Sequence, residues 1–248
     1  MNLLLLFTQD FTTPNRVQLT DHRLQHLLSV KKTAINDVLE VGLLNDRRGQ
    51  ARVLSIDKDQ VELEVQLDKE PLVSGAYWQT QVHLILALPR PKMLKRILQT
   101  ISAMGVKQLS LIHSAKVEKS YWQSPWLEKE KMQQHLVLGL EQAKDTYLPE
   151  VKCYQRFKPF VEDVMPGLVS GSRAIVAHPG RGDLCFRSAP GENFNQSKQT
   201  ISLAIGPEGG FTDYEIERFE QAGFETCHLG ERILRVENAI PVLLGRLI

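Results

Sequence analysis

Two glycine-containing loops near the C-terminus have residue types that suit a small-molecule site. The first, termed the glycine loop, consists of Ile205, Gly206, Pro207, Glu208, Gly209 and Gly210. Glycine admits backbone conformations closed to other residues and lets a ligand approach the main chain. An apolar run precedes the loop, and Thr212 with Glu215 predicts a capping box that opens a helix over 212–222. Strand, glycine loop and helix in this order place ligands at the carboxyl end of an α/β sheet.

Taken alone, the glycine loop is as consistent with a tight connection that binds nothing. It is not a phosphate-binding P-loop, because no Lys-Ser or Lys-Thr follows the glycines. The G-x-G-x-x-G spacing of a dinucleotide site is also absent.

The second loop, termed the arginine loop, consists of Leu229, Gly230, Glu231, Arg232, Ile233, Leu234 and Arg235. It follows a predicted strand over 224–228. Ion pairing at the surface is the usual role of such arginines. Asn238 is predicted to cap a C-terminal helix with Pro241 in its first turn, and this helix is apolar enough to require burial in a core or a subunit interface.

Together the two loops resemble the C-terminal motifs of the ribosomal RNA small-subunit methyltransferase E family of the SPOUT superfamily. The family pattern is IGPEGG-F followed by LG-x-RILR-x-E-T-A, and this sequence departs from it at Asn238, where threonine is usual. The resemblance implies transfer of a methyl group from S-adenosyl-L-methionine to N3 of a uridine in 16S rRNA of the small ribosomal subunit. It also implies a SPOUT α/β domain with a trefoil knot and a mostly parallel sheet. A small PUA-like β-barrel would precede that domain, and a homodimer would form through the knot region and the C-terminal helix.

The resemblance also assigns roles to residues. The implied cofactor-binding set is His178, Pro179, Ile205, Gly206, Pro207, Glu208, Gly209, Gly210, Leu229, Gly230, Ile233, Leu234 and Asn238. Uridine N3 must lose its proton before or during attack. Arg235, with Arg232, is expected to stabilise the negative charge on the uracil oxygens. Either Glu237 or Glu208 would accept the proton or orient Arg235, and the sequence does not separate these roles.

Departures from the family pattern occur at Lys32, at Ala103-Met104 and at Ala143-Lys144-Asp145. These segments are expected to meet RNA or to line the mouth of the site, whereas the cofactor loops are nearly intact. The target position is therefore left open. Two alternatives follow, a SPOUT enzyme that modifies another RNA base or a ribose hydroxyl, and a non-catalytic RNA-binding relative.

The remaining sequence predicts two domains, an RNA-binding barrel over 1–72 and the methyltransferase domain over 73–248, with a linker over 70–75. A helix capped by Thr20 is expected over 21–30, a long helix over 126–148 and a mobile loop over 183–198. Alternating strands and helices predict the parallel sheet. Predicted strands cover 2–7, 16–19, 37–44, 50–56, 61–67, 81–88, 108–112, 151–154, 174–177 and 201–205.

Charge is uneven along the 248 residues. The net charge is only +1, yet 88–119 carries seven basic residues against Glu118 alone. Such a patch suits a phosphate backbone, although a charged stretch is more often a solvated helix face. Expected RNA-binding residues are Lys32, Arg47, Arg48, Arg90, Lys92, Lys95 and Arg96.

The three cysteines, Cys153, Cys185 and Cys227, form no C-x-x-C pair and no metal-binding pattern with histidine. We therefore expect each cysteine to be a small buried hydrophobic residue. We also expect no metal site and a location in the reducing cytoplasm. No apolar run approaches a membrane span, and the apolar residues 3–7 are predicted to form a first strand and not a signal peptide.

Overall fold

The computed structural model describes residues 2–70, 80–185 and 199–247. The chain forms two units, Met1–Ser74 with Val137–Leu148, and Gly75–Leu136 with Pro149–Ile248. Within the described ranges, no helix is both long and apolar enough to cross a membrane.

The N-terminal unit is built on a six-stranded sheet in the order β1-β4-β5-β6-β3-β2. Only the β1–β4 pairing is parallel, with Leu4 opposite Val41, and the other pairings are antiparallel. The strands are β1 (Leu4–Leu6), β2 (Phe11–Thr13), β3 (Arg16–Leu19), β4 (Val38–Leu43), β5 (Arg48–Ile56) and β6 (Val61–Leu67). The predicted strands of this unit are confirmed, whereas closure into a PUA-like barrel stays a prediction.

Strand β1 is buried on both of its faces, which explains its uninterrupted leucine run. Leu4 and Leu6 belong to the core of the six-stranded sheet. Leu3 and Leu5 pack instead with Leu140. Because successive strand side chains point to opposite faces, a strand with alternating polarity could not satisfy both contacts. Val137–Leu148 therefore joins the N-terminal unit, whereas the sequence placed it with the methyltransferase domain.

The first helix, α1 (His22–His26), is capped by Asp21, whose carboxylate accepts from Arg23 N. The predicted capping residue, Thr20, was therefore wrong by one position. The helix continues as a π-helical turn over Leu27–Lys31 and ends at Lys32, which has a left-handed φ of 52°. The buried Arg23 guanidinium is paired with Asp10 at 2.6 Å and with Asp21 at 2.7 Å.

The second unit is built on a seven-stranded sheet in the order β11-β13-β10-β12-β7-β8-β9. All of its described strand pairings are parallel, which confirms the prediction of a mostly parallel α/β sheet. The strands are β7 (Thr80–Ala87), β8 (Gln108–Ile112), β9 (Glu150–Tyr154), β10 (Arg173–Ala177), β11 (Asp183–Leu184), β12 (Gln199–Ile205) and β13 (Glu225–His228).

One helix between these strands is shorter than predicted. The predicted helix over 126–148 is α3 (Lys129–Ala143), because 3-10 turns occupy Lys119–Gln123 and Pro125–Leu127. The other α-helices of the described ranges are α2 (Pro91–Ala103), α4 (Phe157–Pro159), α5 (Met165–Val169), α6 (Asp213–Gln221) and α7 (Val236–Leu247).

Two predicted irregular segments are only partly described. Residues 71–75 of the predicted linker and 186–198 of the predicted mobile loop lie outside the described ranges. The first residues of that loop are ordered, since β11 pairs with β13 through Asp183 and Cys227.

Candidate functional site

A cavity of about 210 Å³ lies at the carboxyl ends of the parallel strands β10, β12 and β13. Carboxyl ends of parallel strands are where open α/β sheets bind ligands. The glycine loop leaves β12 and the arginine loop leaves β13, so the sheet order brings two loops from different strands to one opening. The two loops predicted from sequence therefore form walls of the same cavity.

The glycine loop needs glycine for steric reasons. A Cβ on Gly206 would lie 2.9 Å from Phe211 N, so the loop turns too tightly to admit a side chain. Gly210 has a φ of +70°, a conformation that strains other residues. Its N–H donates to the Pro207 carbonyl at 2.8 Å, which closes the turn.

The exit of the glycine loop is fixed by the predicted capping box of α6, which is confirmed. Thr212 Oγ1 accepts from Glu215 N, and Glu215 Oε2 accepts from Thr212 N at 2.8 Å. The other carboxylate oxygen of Glu215 accepts from Ala115 N at 2.7 Å. Glu215 is only 2% exposed. One buried carboxylate thus fixes both the start of α6 and the segment that follows β8.

His178 forms part of the wall contributed by β10. Its backbone N–H donates to the Cys227 carbonyl at 2.8 Å, which ties this wall to β13. Burial, together with the positive charges of Arg181 and Lys116, lowers the pKa of its imidazole below the usual 6.5. The neutral ring is therefore favoured at physiological pH, which agrees with a place in the cavity wall.

The arginine loop turns at Gly230, which has a φ of +111° and whose N–H donates to His228 Nδ1 at 3.0 Å. Helix α7 begins at Val236, and the Arg235 carbonyl accepts from Asn238 N at 2.9 Å. Asn238 therefore lies inside the first turn, and its predicted capping role was wrong. Pro241 likewise lies inside the helix and not in its first turn.

Most predicted site residues line the cavity. From the predicted cofactor set, the lining includes His178, Pro179, Ile205, Gly206, Pro207, Glu208, Gly210, Leu229, Gly230, Ile233 and Leu234. From the predicted catalytic set, Arg232 and Arg235 line it. Gly209, Asn238 and Glu237 are not among the lining residues.

Sequence reasoning missed part of the cavity lining. These further lining residues are Ala177, His228, Val236, Ala239 and Leu243. Three of them belong to helix α7 or its start, and 3.6-residue periodicity places Val236, Ala239 and Leu243 on one helix face. That periodicity was the available signal, once the helix is known to start at Val236.

Two basic residues contact the glycine loop from the segments that follow β7 and β8. Lys116 Nζ donates to the Gly209 carbonyl at 2.8 Å. Arg90 N donates to Glu208 Oε1 at 3.2 Å, and the Arg90 side chain is 67% exposed. Glu208 thus lines the cavity and is held by the chain that leaves β7.

The predicted RNA-binding residues lie in two groups. Lys32, Arg47 and Arg48 belong to the N-terminal unit, and Arg47 pairs with Asp46 at 3.3 Å. Arg90, Lys92, Lys95 and Arg96 lie at the start of α2 in the second unit. Within that second group, Lys95 Nζ lies 3.7 Å from the centroid of the Trp126 ring. Their role in RNA binding stays a prediction.

The cysteine expectation needs correction. Cys185 and Cys227 form a disulfide across 42 residues, and Cys153, which was expected to be buried, is free and exposed. Both bonded cysteines are buried. The bond links the end of β11 to β13, next to His228 of the cavity wall. Spacing alone could not reveal it, because a pairing over such a distance depends on the sheet order.

Comparison with known proteins identifies the family. Residues 76–248 match the model of the RNA methyltransferase domain. The ribosomal RNA small subunit methyltransferase E of Treponema pallidum is 28% identical over 88% of this chain and 79% of its own length. Ribosomal RNA small subunit methyltransferase E 1 of Borreliella burgdorferi is 24% identical over 96% of this chain and 94% of its own.

A solved structure shares the fold along almost the whole chain. The ribosomal RNA small subunit methyltransferase E of Neisseria gonorrhoeae, bound to S-adenosyl methionine, superposes with a TM-score of 0.74 at 20% identity. The alignment covers 98% of this chain and 95% of that one. With the family match spanning most of the sequence, this chain belongs to the RNA methyltransferase domain family.

Proposed function

We propose that this protein transfers a methyl group from S-adenosyl-L-methionine to N3 of a uridine in 16S rRNA. The observation that carries the proposal is the convergence of the glycine and arginine loops on one cavity. Relatives named ribosomal RNA small subunit methyltransferase E support the RNA substrate. The N-terminal unit, with Lys32, Arg47 and Arg48, is proposed to assist RNA binding.

The cavity lining fits the cofactor. Apolar side chains of Ile233, Leu234 and Leu243 offer a surface suited to a flat adenine ring. The glycine loop presents backbone groups without intervening side chains, which suits a ribose and its hydroxyls. When bound, S-adenosyl-L-methionine supplies an activated methyl group on sulfonium, so the protein's main task is to position the two reactants.

Arg235 is proposed to stabilise the negative charge that develops on the uracil oxygens. Arg232 assists it, since both side chains are exposed and both line the cavity. Glu208 is the proposed proton acceptor. It lines the cavity, whereas Glu237 does not.

The catalytic assignment of Arg235 predicts separate effects on binding and chemistry. Arg235→Ala should lower kcat by about 100-fold or more, as for loss of a group that stabilises transition-state charge. Calorimetry should show a much smaller change in affinity for S-adenosyl-L-methionine. Arg218→Ala is the matched control, because Arg218 is exposed on α6 and does not line the cavity. Equal losses of kcat and cofactor affinity in Arg235→Ala would rule out the catalytic role.

Mass-spectrometric mapping of rRNA from cells with and without the protein tests the reaction and its target together. We expect the loss of one N3-methyluridine from 16S rRNA. Loss of a different methylated nucleotide would assign the enzyme a different target, and unchanged rRNA would refute the proposed rRNA target. A chain that fails to bind S-adenosyl-L-methionine in calorimetry would instead be a non-catalytic relative.

The homodimer is proposed to form through the knot region and helix α7. Apolar side chains stand exposed there in the single chain, with Ile233 at 81% and Val242 at 39%. Exposed apolar surface of this kind is typical of a subunit contact. Val242→Asp should shift the protein from dimer to monomer in sedimentation velocity. A wild-type protein that sediments as a monomer would exclude the dimer.

The trefoil knot, the closed PUA-like barrel and a cytoplasmic location complete the proposal. The knot and the barrel rest on the family resemblance, and the location rests on the ribosomal substrate. A reducing cytoplasm normally keeps cysteines as thiols. The structure instead has a Cys185–Cys227 disulfide, and both of its cysteines are buried.

A further inference from the structure

The segment after β8 carries aromatic rings that do not enter the core. Tyr121 and Trp122 lie in the 3-10 turn Lys119–Gln123, and Trp126 lies in the turn Pro125–Leu127. All three are half-buried and not enclosed. Large aromatic side chains normally contribute more when fully buried. Partly exposed rings next to a candidate site can therefore gain further burial when a ligand binds against them.

Two of these rings are held in fixed orientations. Trp122 Nε1–H donates to His113 Nδ1 at 2.9 Å, and the two ring centroids are 6.3 Å apart. Tyr121 Oη donates to Glu118 Oε1 at 3.1 Å. Because the two rings are already ordered, stacking of a ligand on them costs the protein little side-chain entropy.

This segment is joined to the wall of the cavity. Lys116 reaches the Gly209 carbonyl, and Arg90 holds Glu208 through its backbone N–H. Tyr121 lies close enough for the charges of Arg90 and Glu208 to act on its hydroxyl. The segment that carries Tyr121 and Trp122 is therefore attached to the glycine loop through Lys116.

The two segments that meet at the glycine loop carry exposed basic residues. Arg90, Lys116 and Lys119 are all exposed. Trp126 differs from the other two rings, since the Lys95 ammonium lies 3.7 Å from its ring centroid and occupies that position. Among the contacts of the described residues, no cation lies over the Tyr121 or Trp122 ring. These two rings are therefore the ones available for stacking.

We propose that Tyr121 and Trp122 form a stacking platform for an unpaired nucleotide adjacent to the target base, with Arg90, Lys116 and Lys119 contacting its phosphates. Aromatic rings stack on unpaired bases, whereas paired bases in an RNA helix are not accessible to them. The inference rests on the proposed function and narrows its substrate class. The RNA is single-stranded or splayed open next to the methylated base.

The test compares binding of a single-stranded, uridine-rich octanucleotide RNA with binding of a duplex RNA of equal length. The full-length protein should prefer the single strand. Trp122→Leu should weaken single-strand binding by about fivefold or more, the lower end for loss of one stacked base. Trp122→Phe keeps a ring and should retain most of the affinity. The control is Tyr214→Leu, because Tyr214 is also an exposed aromatic residue but lies on α6 outside the cavity lining.

Two further measurements separate this inference from the proposed function. Calorimetry with S-adenosyl-L-methionine should give wild-type affinity for Trp122→Leu, which also shows that the variant is folded. With unmethylated small ribosomal subunits as substrate, Trp122→Leu should raise KM more than it lowers kcat, because the platform positions RNA and does not touch the methyl group.

Several results would overturn the platform. Unchanged single-strand affinity in Trp122→Leu, an equal loss in Tyr214→Leu, or a preference for the duplex each excludes it, even if the wild-type enzyme methylates rRNA normally. A Trp122 surface reserved for a protein partner would give the first of these results. Conversely, a wild-type protein without methyl transfer refutes the proposed function but leaves the RNA-binding comparison valid.

Discussion

Glu215 is the residue whose removal should most clearly test how the glycine loop is held. Its carboxylate accepts three hydrogen bonds, from Thr212 N, Thr212 Oγ1 and Ala115 N. At 2% exposure it leaves water little access to those donors. Glu215→Ala removes the Glu215 side of the capping box, whereas Thr212 Oγ1 can still accept from the backbone N–H of residue 215. It also removes a charged acceptor from two part-buried backbone N–H groups, those of Thr212 and Ala115, at about 1–3 kcal/mol each.

The expected total loss in the free energy of unfolding is about 3 to 5 kcal/mol, because the end of the cap can relax and let some water in. At roughly 2–4 °C per kcal/mol, this lowers Tm by about 6 to 20 °C. Glu215→Gln should lose about half as much, since its amide oxygen still accepts while its NH₂ group meets a donor. Affinity for S-adenosyl-L-methionine should fall as well, because the capping box fixes the exit of the glycine loop.

Thermal unfolding by circular dichroism gives the stability, and calorimetry gives the cofactor affinity. Glu217→Ala is the matched control, because Glu217 is exposed on the same helix. A loss below about 1 kcal/mol in Glu215→Ala would refute the argument from these hydrogen bonds to the Glu215 carboxylate. An equal loss in Glu217→Ala would show that helix propensity, and not the buried contacts, sets the effect.

Three further predictions concern the second unit. Under denaturing conditions without reductant, one thiol per chain should react, that of Cys153, and three after reduction. Reduction of Cys185–Cys227 should lower the free energy of unfolding by about 2–4 kcal/mol in the chain-entropy account of a 42-residue separation, and three reactive thiols before reduction would disprove the bond. Burial lowers the pKa of His83 below 6.5. The stability that His83 contributes is therefore present above pH 6.5 and lost as pH falls through the folded-state value, so His83→Gln should flatten the decline in urea stability between pH 7 and pH 5; an unchanged slope would contradict this. Gly210→Ala forces a side chain into a φ of +70° and should cost about 1–2 kcal/mol, and a loss below about 0.5 kcal/mol in urea unfolding would show that the loop relaxes.

Local patterns predicted much of this structure. The capping box at Thr212 and Glu215 involves residues only three apart, so the sequence contains the whole interaction. The strands of the parallel sheet were likewise visible as apolar runs. Where two local signals competed, prediction failed, as at Asn238, because helix α7 starts at the buried Val236 and leaves the better capping residue inside its first turn.

Interactions between distant parts of the chain could not be predicted in this way. The Cys185–Cys227 bond depends on β11 lying beside β13. Ala177 enters the cavity lining because β10 lies between β12 and β13. Val137–Leu148 joins the N-terminal unit because Leu3 and Leu5 need a packing partner on the second face of β1. Each of these follows from the order of elements in space, which local periodicity does not encode.

The parallel sheet has a consequence for the order in which the chain becomes folded. Strand β7 pairs with β8 soon after it in the sequence, but its other neighbour is β12, with Thr80 opposite Gln199. At a synthesis rate of about 5–20 residues per second, roughly 6 to 24 seconds pass between these two residues on the ribosome. During that time the backbone N–H and C=O groups on this edge of β7 have no strand to pair with. This edge of β7 therefore stays unpaired until β12 has been made, and the strand that covers it is the one that also positions the glycine loop.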